Sequence, residues 1–274
     1  MSSIGNYEHH SHHHHHHRKK KLGVFSILLI VVSAIFFVFI TFAVFFSDRL
    51  SDIQTEMEMI LGIKDNGKDR HVMMDYDGID VSHHQGKIDW EKVADDARLE
   101  FVYIKATEGS TIVDSRYDEN FNGARDAGLH VGSYHFFSSS STVTSQFANF
   151  KQHVSRNRQD IIPMVDVEKR GVRGWSKKQL RDSLALFVTL VESYYGKSPI
   201  IYSYSSFYND NLAPYFNSYH LFLARYNGQS PVIEGDGHHN IWQHSDCGLI
   251  DGITTDVDLD MFEPGTSLKD ILMK

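Results

Sequence analysis

Short apolar runs alternate with amphipathic helical patterns after residue 76, and this alternation leaves few folds open to the chain. The runs that predict strands are 78–81, 101–106, 130–136, 161–167, 200–204, 220–224, 241–244 and 257–259. The helical patterns lie between the first five of these, at 89–97, 117–127, 142–157 and 176–195. A strand, a helix and a further strand in this order are typical of parallel βαβ units. The pattern therefore predicts an α/β barrel like that of triosephosphate isomerase.

The second half of this barrel is predicted to be abbreviated. After Ser205 the candidate strands follow one another at short spacing, with too few residues between them for full crossover helices. We therefore expect an irregular (β/α) barrel over residues 76–274, complete in its first half and shortened in its second. A chain of about 200 residues is long enough to form one domain with a substantial core.

Residues 22–46 contain no charged residue and are dominated by Ile, Val, Phe, Leu and Ala. Because about 20 apolar residues span a bilayer, this run predicts one transmembrane helix. Arg18 and the lysines at 19–21 precede it, so the positive-inside rule places the N-terminus in the cytoplasm and the barrel outside it, in a periplasm or facing a cell wall. A cleaved signal peptide is the alternative, although the run exceeds the roughly 7 to 15 apolar residues of such peptides.

Two polar segments flank the predicted membrane helix. Residues 1–21 form a basic tail that is rich in histidine, which is either an expression tag or a native metal-binding tract. Residues 47–75 form a stalk that joins the membrane helix to the barrel. If the histidine tract is native, a metal-handling membrane protein is one alternative reading of the chain.

Charge and cysteine content argue against a nucleic-acid-binding protein and against a disulfide-stabilised domain. The formal net charge is −8, and four of the 27 Lys and Arg residues lie before residue 22, so the rest of the chain is more acidic still. Because a surface that binds polyanions is basic, we predict that nucleic acid is not a partner. Cys247 is the single cysteine, so an intramolecular disulfide is impossible and the core must hold the barrel together.

One candidate strand ends in two carboxylates, Asp166 and Glu168. Side chains two positions apart on a strand point to the same side, so both carboxyls face one small volume. Glycoside cleavage needs such a pair, because one acid protonates the leaving oxygen while a second carboxylate stabilises the oxocarbenium-like centre. The chain holds a second Asp-x-Glu, Asp89 to Glu91, which is typical of the first turn of a helix.

Polar side chains lie near the ends of all eight candidate strands. They are Asp80, Lys105, Glu108, Tyr134, His135, Asp166, Glu168, Tyr202, Tyr204, Arg225, Trp242, Gln243 and Asp258. Barrels of this kind carry their chemistry at the carboxyl ends of the strands. The shared placement predicts one polar rim, even though each residue alone has an ordinary structural explanation.

The chain resembles the family 25 glycoside hydrolases, the Chalaropsis-type lysozymes. The segments that carry the resemblance, in chain order, are GIDVS at 78–82, QG at 85–86, IDW at 88–90, IKATEG at 104–109, GSYHF at 132–136, DVE at 166–168, IY at 201–202, WQ at 242–243 and VDLD at 257–260. The resemblance runs from about residue 76 to about residue 261. It implies a flattened, irregular α/β barrel that hydrolyses the β-1,4 bond from N-acetylmuramic acid to N-acetylglucosamine in peptidoglycan.

The resemblance also implies roles for individual residues. Glu168 matches the general acid/base and Asp166 the carboxylate beside it, while Asp80 and Asp258 match two further acids of the site. The residues expected near the sugars are Tyr134, Lys105, Tyr202 and Trp242, to which Arg225 is added as a further candidate for substrate binding. The chain departs from the family pattern at His84 and Phe222, where aromatic residues and tryptophan, respectively, are usual, and these departures bear on glycan specificity.

Four carboxylates in one cleft cannot all ionise without repulsion, so at least one pKa must rise. We expect Glu168 to hold that proton as the general acid and Asp166 to stay ionised. Their close spacing favours retention of configuration. Asp166 then either attacks the sugar directly or orients the acetamido oxygen of the substrate, and the resemblance to other N-acetylhexosaminide hydrolases favours the second route.

Three alternatives to this function follow from the residues. A membrane-tethered glycan-binding domain without activity would have the same fold, although the complete set of acids argues against it. A chitinase-like enzyme would cleave the same kind of bond without the lactyl substituent. A metal site at Asp236, His238 and His239 is disfavoured by the flanking glycines, which are typical of a solvated turn, so we predict neither a metal nor a cofactor.

Overall fold

A closed barrel is formed by residues 75–274, the part of the chain that the structure, a computed structural model, describes. Its strands are β1 (Gly78–Val81), β2 (Phe101–Glu108), β3 (Ile112–Val113), β4 (His130–Phe136), β5 (Met164–Asp166), β6 (Ile200–Tyr204), β7 (Leu221–Ala224), β8 (Ile241–Gly248) and β9 (Val257–Phe262). The helices are α1 (Trp90–Ala94), α2 (Tyr117–Asp126), α3 (Val143–His153), α4 (Lys177–Tyr195), α5 (Ser205–Asn211) and α6 (Leu268–Ile271). Short 3₁₀ turns occupy His83–Gln85 and Arg156–Arg158.

Eight of the strands close the barrel in the order β1, β2, β4, β5, β6, β7, β8 and β9, and β9 pairs again with β1. All neighbours from β1 to β8 run parallel, as the βαβ pattern predicts. The last strand, β9, runs antiparallel to both β8 and β1. The short β3 pairs antiparallel with the end of β2, at Thr107 and Glu108, and forms a hairpin with it.

The predicted α/β barrel with an abbreviated second half is confirmed. The first half carries α2, α3 and α4 as crossover helices, whereas α5 has only 7 residues and no helix joins β7 to β8. One strand is shorter than predicted, since β5 begins at Met164. The residues before it pair elsewhere, because the Ile162 amide donates to the Ile271 carbonyl. The β3 hairpin was not predicted, because two residues carry too little periodicity to mark a strand.

Two apolar layers hold the wall of the barrel. The inner layer fills the barrel with aromatic and aliphatic side chains, among them Tyr103, Met164 and Phe222. The outer layer lies between the strands and the helices and includes Val165 and Phe187. Because strand residues alternate between these layers, the position of a residue along its strand decides whether it faces the interior or the helices.

The longest helix shows how the outer layer is built. α4 spans 19 residues, and its buried side chains recur at helical spacing: Leu180, Leu184, Phe187, Val188, Val191 and Tyr195. Ser176 caps its N-terminus with Gln179 in a reciprocal capping box. Gly196 ends it in a left-handed conformation with φ 83°, which a residue with a Cβ rarely adopts. The helix therefore packs its apolar face on the outer side of the barrel, where Phe187 contacts His135 of β4 and Phe150 of α3.

Within residues 75–274, no helix is both long and apolar enough to cross a membrane. The predicted tail at 1–21, the membrane helix at 22–46 and nearly all of the stalk at 47–75 lie outside the described residues. Those predictions stay predictions.

Candidate active site

Two carboxylates follow one another on the inner side of β5 and its extension. Met164, Asp166 and Glu168 share the face that points into the barrel, while Val165 and Val167 pack in the outer layer. All three line a cleft of about 400 Å³ at the carboxyl end of the parallel strands. The predicted juxtaposition of Asp166 and Glu168 is therefore present in the structure.

The other residues that line this cleft come from β1, β4, β6, β8 and β9 and from the loops that follow β1, β5 and β7. They are Asp80, Val81, Ser82, His84, Gln85, Tyr134, Arg170, Tyr202, Tyr204, Tyr226, Gln243, Asp246 and Asp258. A larger cavity of about 720 Å³ surrounds Trp90 and Gly252, but its carboxylates are solvent-exposed: Asp89, Glu91, Asp126 and Asp251. Buried, interacting carboxyls occur in the smaller cleft, so we take the smaller cleft as the site.

Asp80 and Asp258 meet where the first and last strands close the barrel. They are direct partners in the antiparallel register of β1 and β9. Because β9 runs in the opposite direction, its beginning lies at the rim where the parallel strands end. The two carboxyls share a hydrogen bond that raises the pKa of Asp258 and lowers that of Asp80, so Asp258 is the proton donor.

Gln243 connects this acid pair to the tyrosines of the cleft. Its Nε2 donates to Asp80 Oδ2 at 2.6 Å. Its Oε1 accepts from the Tyr202 hydroxyl at 2.8 Å and from the Tyr226 hydroxyl. The amide is buried, with 1% of its surface exposed. One side chain therefore fixes the positions of a carboxylate and two phenols.

Replacing Gln243 by leucine is expected to destabilise the protein by roughly 2 to 4 kcal/mol, because each buried polar group left without a partner costs about 1 to 3 kcal/mol. The partners lost are those of Asp80, Tyr202 and Tyr226. Urea denaturation measures the change. Gln152→Leu on the exposed face of α3 is the matched control, and an equal effect of the two variants would contradict the role of Gln243.

Three carboxyls of the cleft, those of Asp80, Asp166 and Asp258, have a raised pKa. Burial raises the pKa of Asp80 to about 7, against the opposing hydrogen bond from Gln243. Burial also raises the pKa of Asp166, and the neighbouring Glu168 raises it further, while Arg170 and Lys105 oppose the change. Contrary to the expectation that Asp166 stays ionised, the strand position that aims its carboxyl at Glu168 also removes it from water and favours its protonated form.

A deeper carboxyl lies below the pair on β9. Asp260 is completely buried, and neither of its oxygens has a hydrogen-bond partner among residues 75–274. Burial raises its pKa well above the usual range, and Asp80 and Asp258 raise it further. The described part of the chain therefore holds Asp260 as a neutral acid in the barrel interior.

Asp80→Asn is expected to become more stable relative to the wild type as the pH rises from 4 to 7. A folded-state pKa of about 7 against 3.8 means that the folded wild type holds the extra proton, so its stability falls as pH rises through this interval. Asparagine mimics the protonated form and escapes this loss, which is at most on the order of 4 kcal/mol. Denaturation of both proteins at pH 4 and pH 7 gives the difference.

The control for this measurement is Asp118→Asn, because Asp118 is exposed on α2. Its stability difference from the wild type should be the same at both pH values. A difference for Asp80→Asn that does not change with pH would show that Asp80 is ionised in the folded protein at pH 4, contrary to our expectation.

Glu168 is held from the opposite side by a cation. Arg170 Nε donates to Glu168 Oε2 at 2.7 Å, and the Arg170 guanidinium lies 4.6 Å from the centre of the Phe136 ring. The amides of Gly171 and Val172 both donate to the Glu168 carbonyl, which closes a turn directly after β5. The Glu168 side chain keeps 10% of its surface exposed and the Arg170 side chain 53%.

The residues predicted to bind sugar fall into two groups. Tyr134 and Tyr202 line the cleft, as predicted. Lys105 lies next to it: its Nζ forms an ion pair with Glu108 Oε2 at 2.7 Å and is 5.0 Å from the centre of the Phe136 ring. Its charge lowers the pKa of Asp166, so it acts on the site electrostatically without lining the cleft.

Trp242 and Arg225 are not brought into the cleft, which corrects the expectation for both. β8 places Ile241 and Gln243 inside the barrel, so Trp242 points to the other face. Trp242 Nε1 donates to the Arg225 carbonyl at 2.8 Å. The Arg225 guanidinium donates to the Ser230 carbonyl and to Gln229 Oε1. The pair therefore braces the loop after β7 and does not line the cleft.

Several cleft residues were missed or undervalued at the level of sequence. Gln243 was placed at the rim, but nothing in the pattern marked it as the connecting residue. Arg170 and Asp246 lie beyond the ends of the predicted strands 161–167 and 241–244. Tyr226 follows Arg225 in an aromatic segment, and the alternation of strand faces would have found it only if the end of β7 had been known.

Comparisons with known proteins agree with this geometry. The sequence profile of the family described as Glycosyl hydrolases family 25 matches residues 79–253. The uncharacterized protein YegX of Escherichia coli (strain K12) is 42% identical over 189 residues, which are 68% of each chain. The autolytic lysozyme of Clostridium acetobutylicum is 35% identical over 188 residues, which are 69% of this chain and 56% of that one.

Solved structures give the same result for the fold. The crystal structure of the bacterial lysozyme from Streptomyces coelicolor superposes with a TM-score of 0.65 and 30% identity, and the match covers 73% of this chain and 96% of that one. The profile match includes Asp80, Asp166 and Glu168 and covers more than half of the chain. By its sequence and its barrel, this chain belongs to glycosyl hydrolase family 25.

Proposed function

We propose that this protein is a peptidoglycan hydrolase that cleaves the β-1,4 bond from N-acetylmuramic acid to N-acetylglucosamine. The observation that carries the proposal is the cleft itself, in which Asp166 and Glu168 leave one strand on the same side and face Asp80 and Asp258. Two of the similar proteins, from Clostridium acetobutylicum and Streptomyces coelicolor, are named lysozymes. A cleft with these acids and four tyrosines suits a polar sugar polymer.

In this proposal Glu168 is the general acid and base. It gives its proton to the glycosidic oxygen as the bond between that oxygen and the anomeric carbon breaks. The acetamido oxygen of the same sugar attacks the anomeric carbon from the opposite side and forms a cyclic oxazolinium. A water molecule then attacks the anomeric carbon while Glu168 takes its proton, and the bond from that carbon to the acetamido oxygen breaks, which opens the oxazolinium ring. Because the anomeric carbon is attacked twice from opposite sides, the product keeps the configuration of the substrate.

Asp166 orients the acetamido group by accepting a hydrogen bond from its N–H. Positive charge develops on that group as the ring closes, and this charge favours the ionised form of Asp166 that burial alone disfavours. Lys105 and Arg170 act in the same direction, since both lower the pKa of Asp166. The carboxylate is therefore stabilised at the point in the reaction where its charge is needed.

The tyrosines and the acid pair bind the sugar in this scheme. Burial raises the pKa of Tyr134 well above its usual range, and the nearby Asp80, Asp166 and Asp258 raise it further. The Tyr134 hydroxyl therefore stays protonated and can donate a hydrogen bond. Tyr202 forms an edge-to-face contact with Tyr204, 6.5 Å between ring centres. Phenol rings of this kind provide apolar faces for sugar rings, while Asp80 and Asp258 accept hydrogen bonds from sugar hydroxyls.

Product analysis tests the proposal. Purified full-length protein is incubated with purified peptidoglycan, and the released fragments are identified by mass and by their reducing ends. We expect fragments that end in reducing N-acetylmuramic acid, with the β-anomer appearing first by NMR. Cleavage of chitin oligomers but not of peptidoglycan would favour a chitinase, and binding of peptidoglycan without cleavage would favour a glycan-binding domain.

We also propose that residues 22–46 anchor the protein in a membrane with the barrel on the cell-wall side. The support is the charge-free run and the basic residues before it. Cell fractionation with an alkaline carbonate wash tests this: the full chain should stay in the membrane fraction, and its barrel should be accessible to added protease only from the extracytoplasmic side. Release of the full chain by the wash would contradict anchoring.

A further inference from the structure

We propose that Arg170 is a specificity-determining residue that binds a carboxylate carried by a substituent on a sugar next to the cleaved bond. This inference rests on the proposed glycan hydrolysis. Arg170 neither gives nor takes a proton in the steps described above, although it pairs with Glu168 and lowers the pKa of Asp166, and it lies in the cleft beside both acids.

The first support is the fixed position of Arg170. It belongs to the turn after β5, and Gly171 holds that turn against the end of β4: a Cβ at Gly171 would lie 2.3 Å from the Phe137 carbonyl oxygen. Ser139 donates to the Gly171 carbonyl through its amide and its hydroxyl. Below the guanidinium lies the ring of Phe136. The cation is therefore preorganised beside the acid.

The second support is the donor groups that remain. An arginine carries five N–H donors, and Nε of Arg170 already donates to Glu168. No hydrogen bond from its Nη atoms is found within residues 75–274, and 53% of the side chain is exposed. The Nη groups can thus receive a carboxylate in the paired geometry that guanidinium groups favour.

The third support is the charge of the surroundings. The cleft is lined by five acidic residues: Asp80, Asp166, Glu168, Asp246 and Asp258. Among the lining residues that the structure describes, Arg170 is the only Lys or Arg. An anionic substituent therefore finds its one arginine or lysine partner among these lining residues at Arg170. Nearby His84 does not replace it, because burial lowers the pKa of the imidazole.

In peptidoglycan such a carboxylate comes from one of two sources. Where the peptide has been removed, the lactyl group of N-acetylmuramic acid ends in a free carboxylate. Where the peptide remains, the lactyl group is an amide and the charge lies on the peptide. Both sources present the same chemical group to Arg170, and a chitin chain presents neither.

The test compares Arg170→Gln with Arg173→Gln, a matched control whose arginine is exposed three residues further on and does not line the cleft. Each full-length variant and the wild type receive three substrates: strands with peptides, peptide-free strands with lactyl carboxylates, and peptide-free strands whose lactyl carboxylates have been converted to neutral amides. Values of kcat and KM are measured for each, together with the pH profile of kcat/KM.

For Arg170→Gln we expect kcat/KM to fall about 10- to 100-fold further on the strands that carry the recognised carboxylate than on the neutral strands, with this additional loss mainly in KM. A loss common to all three substrates, in kcat, reports the contacts of Arg170 with Glu168 and Asp166. Loss on the peptide-free acidic strands identifies the lactyl carboxylate, and loss only on the strands with peptides identifies the peptide. Arg173→Gln should match the wild type throughout.

An equal loss of kcat/KM on all three substrates would overturn the inference. If the pH profile of kcat/KM were also shifted, that result would show that Arg170 acts only through Glu168. An unchanged kcat/KM on all three would also overturn it. If the wild type cleaves none of the strands, the proposed function has failed, and the inference fails with it. The two failures are therefore distinguishable in one experiment.

Discussion

Glu168→Gln is expected to lower kcat on peptidoglycan by about 10²- to 10⁴-fold, the range in which positioned acids and bases contribute to catalysis. Glutamine keeps the shape of the side chain and can still receive the hydrogen bond from Arg170, but it has no proton to give to the glycosidic oxygen. Release of reducing ends under saturating substrate measures the effect. Binding to insoluble peptidoglycan should be retained, because the cleft keeps its shape.

The matched control is Glu91→Gln in the second Asp-x-Glu of the chain, which lies exposed at the start of α1 and should leave the activity unchanged. If Glu168→Gln keeps more than about a tenth of the activity, Glu168 is not the general acid. Asp80 would then be the first alternative, because its pKa of about 7 also keeps a proton available near neutral pH.

Asp166→Asn is expected to lower kcat by about 10²- to 10³-fold, which is the loss seen when one preorganised electrostatic group is removed from an active site. Asparagine cannot carry the negative charge that stabilises the acetamido group as the oxazolinium forms. The same assay measures the effect, and Asp89→Asn at the N-cap of α1 is the control that should behave like the wild type.

The Asp166 variant also distinguishes the two retaining routes. With an activated aryl β-glycoside of N-acetylmuramic acid and added azide, we expect no α-glycosyl azide, since the acetamido oxygen occupies the α side of the anomeric carbon in the assisted route. Formation of the α-azide together with restored activity would show that Asp166 is itself the nucleophile.

The sequence predicted the parts of the site that depend on strand alternation. Asp166 and Glu168 share a face because they are two positions apart, and the barrel rim follows from the order of strands and helices. The same rule applied to β8 would have placed Gln243 inside and Trp242 outside, since Ile241 is an interior residue. Treating both as rim residues ignored that alternation, and the error for Trp242 followed from it.

Other features depend on tertiary contacts that a strand pattern does not contain. The raised pKa of Asp166 comes from burial and from Glu168, and burial is known only once the helices and loops around the cleft are placed. The direction of β9 was readable in part, because the loop 249–256 is too short for a parallel crossover and favours an antiparallel pair. Arg170 lies on a turn whose shape is set by Gly171 and β4.

The closure of the barrel by β9 has a consequence for how the protein matures. Asp80 comes from the first strand of the barrel and Asp258 from its last, and they become neighbours only when β9 inserts between β8 and β1. A nascent or truncated chain that stops before Val257 lacks Asp258 and leaves two strand edges unpaired. The barrel therefore gains its complete set of four acids only when its last strand is in place.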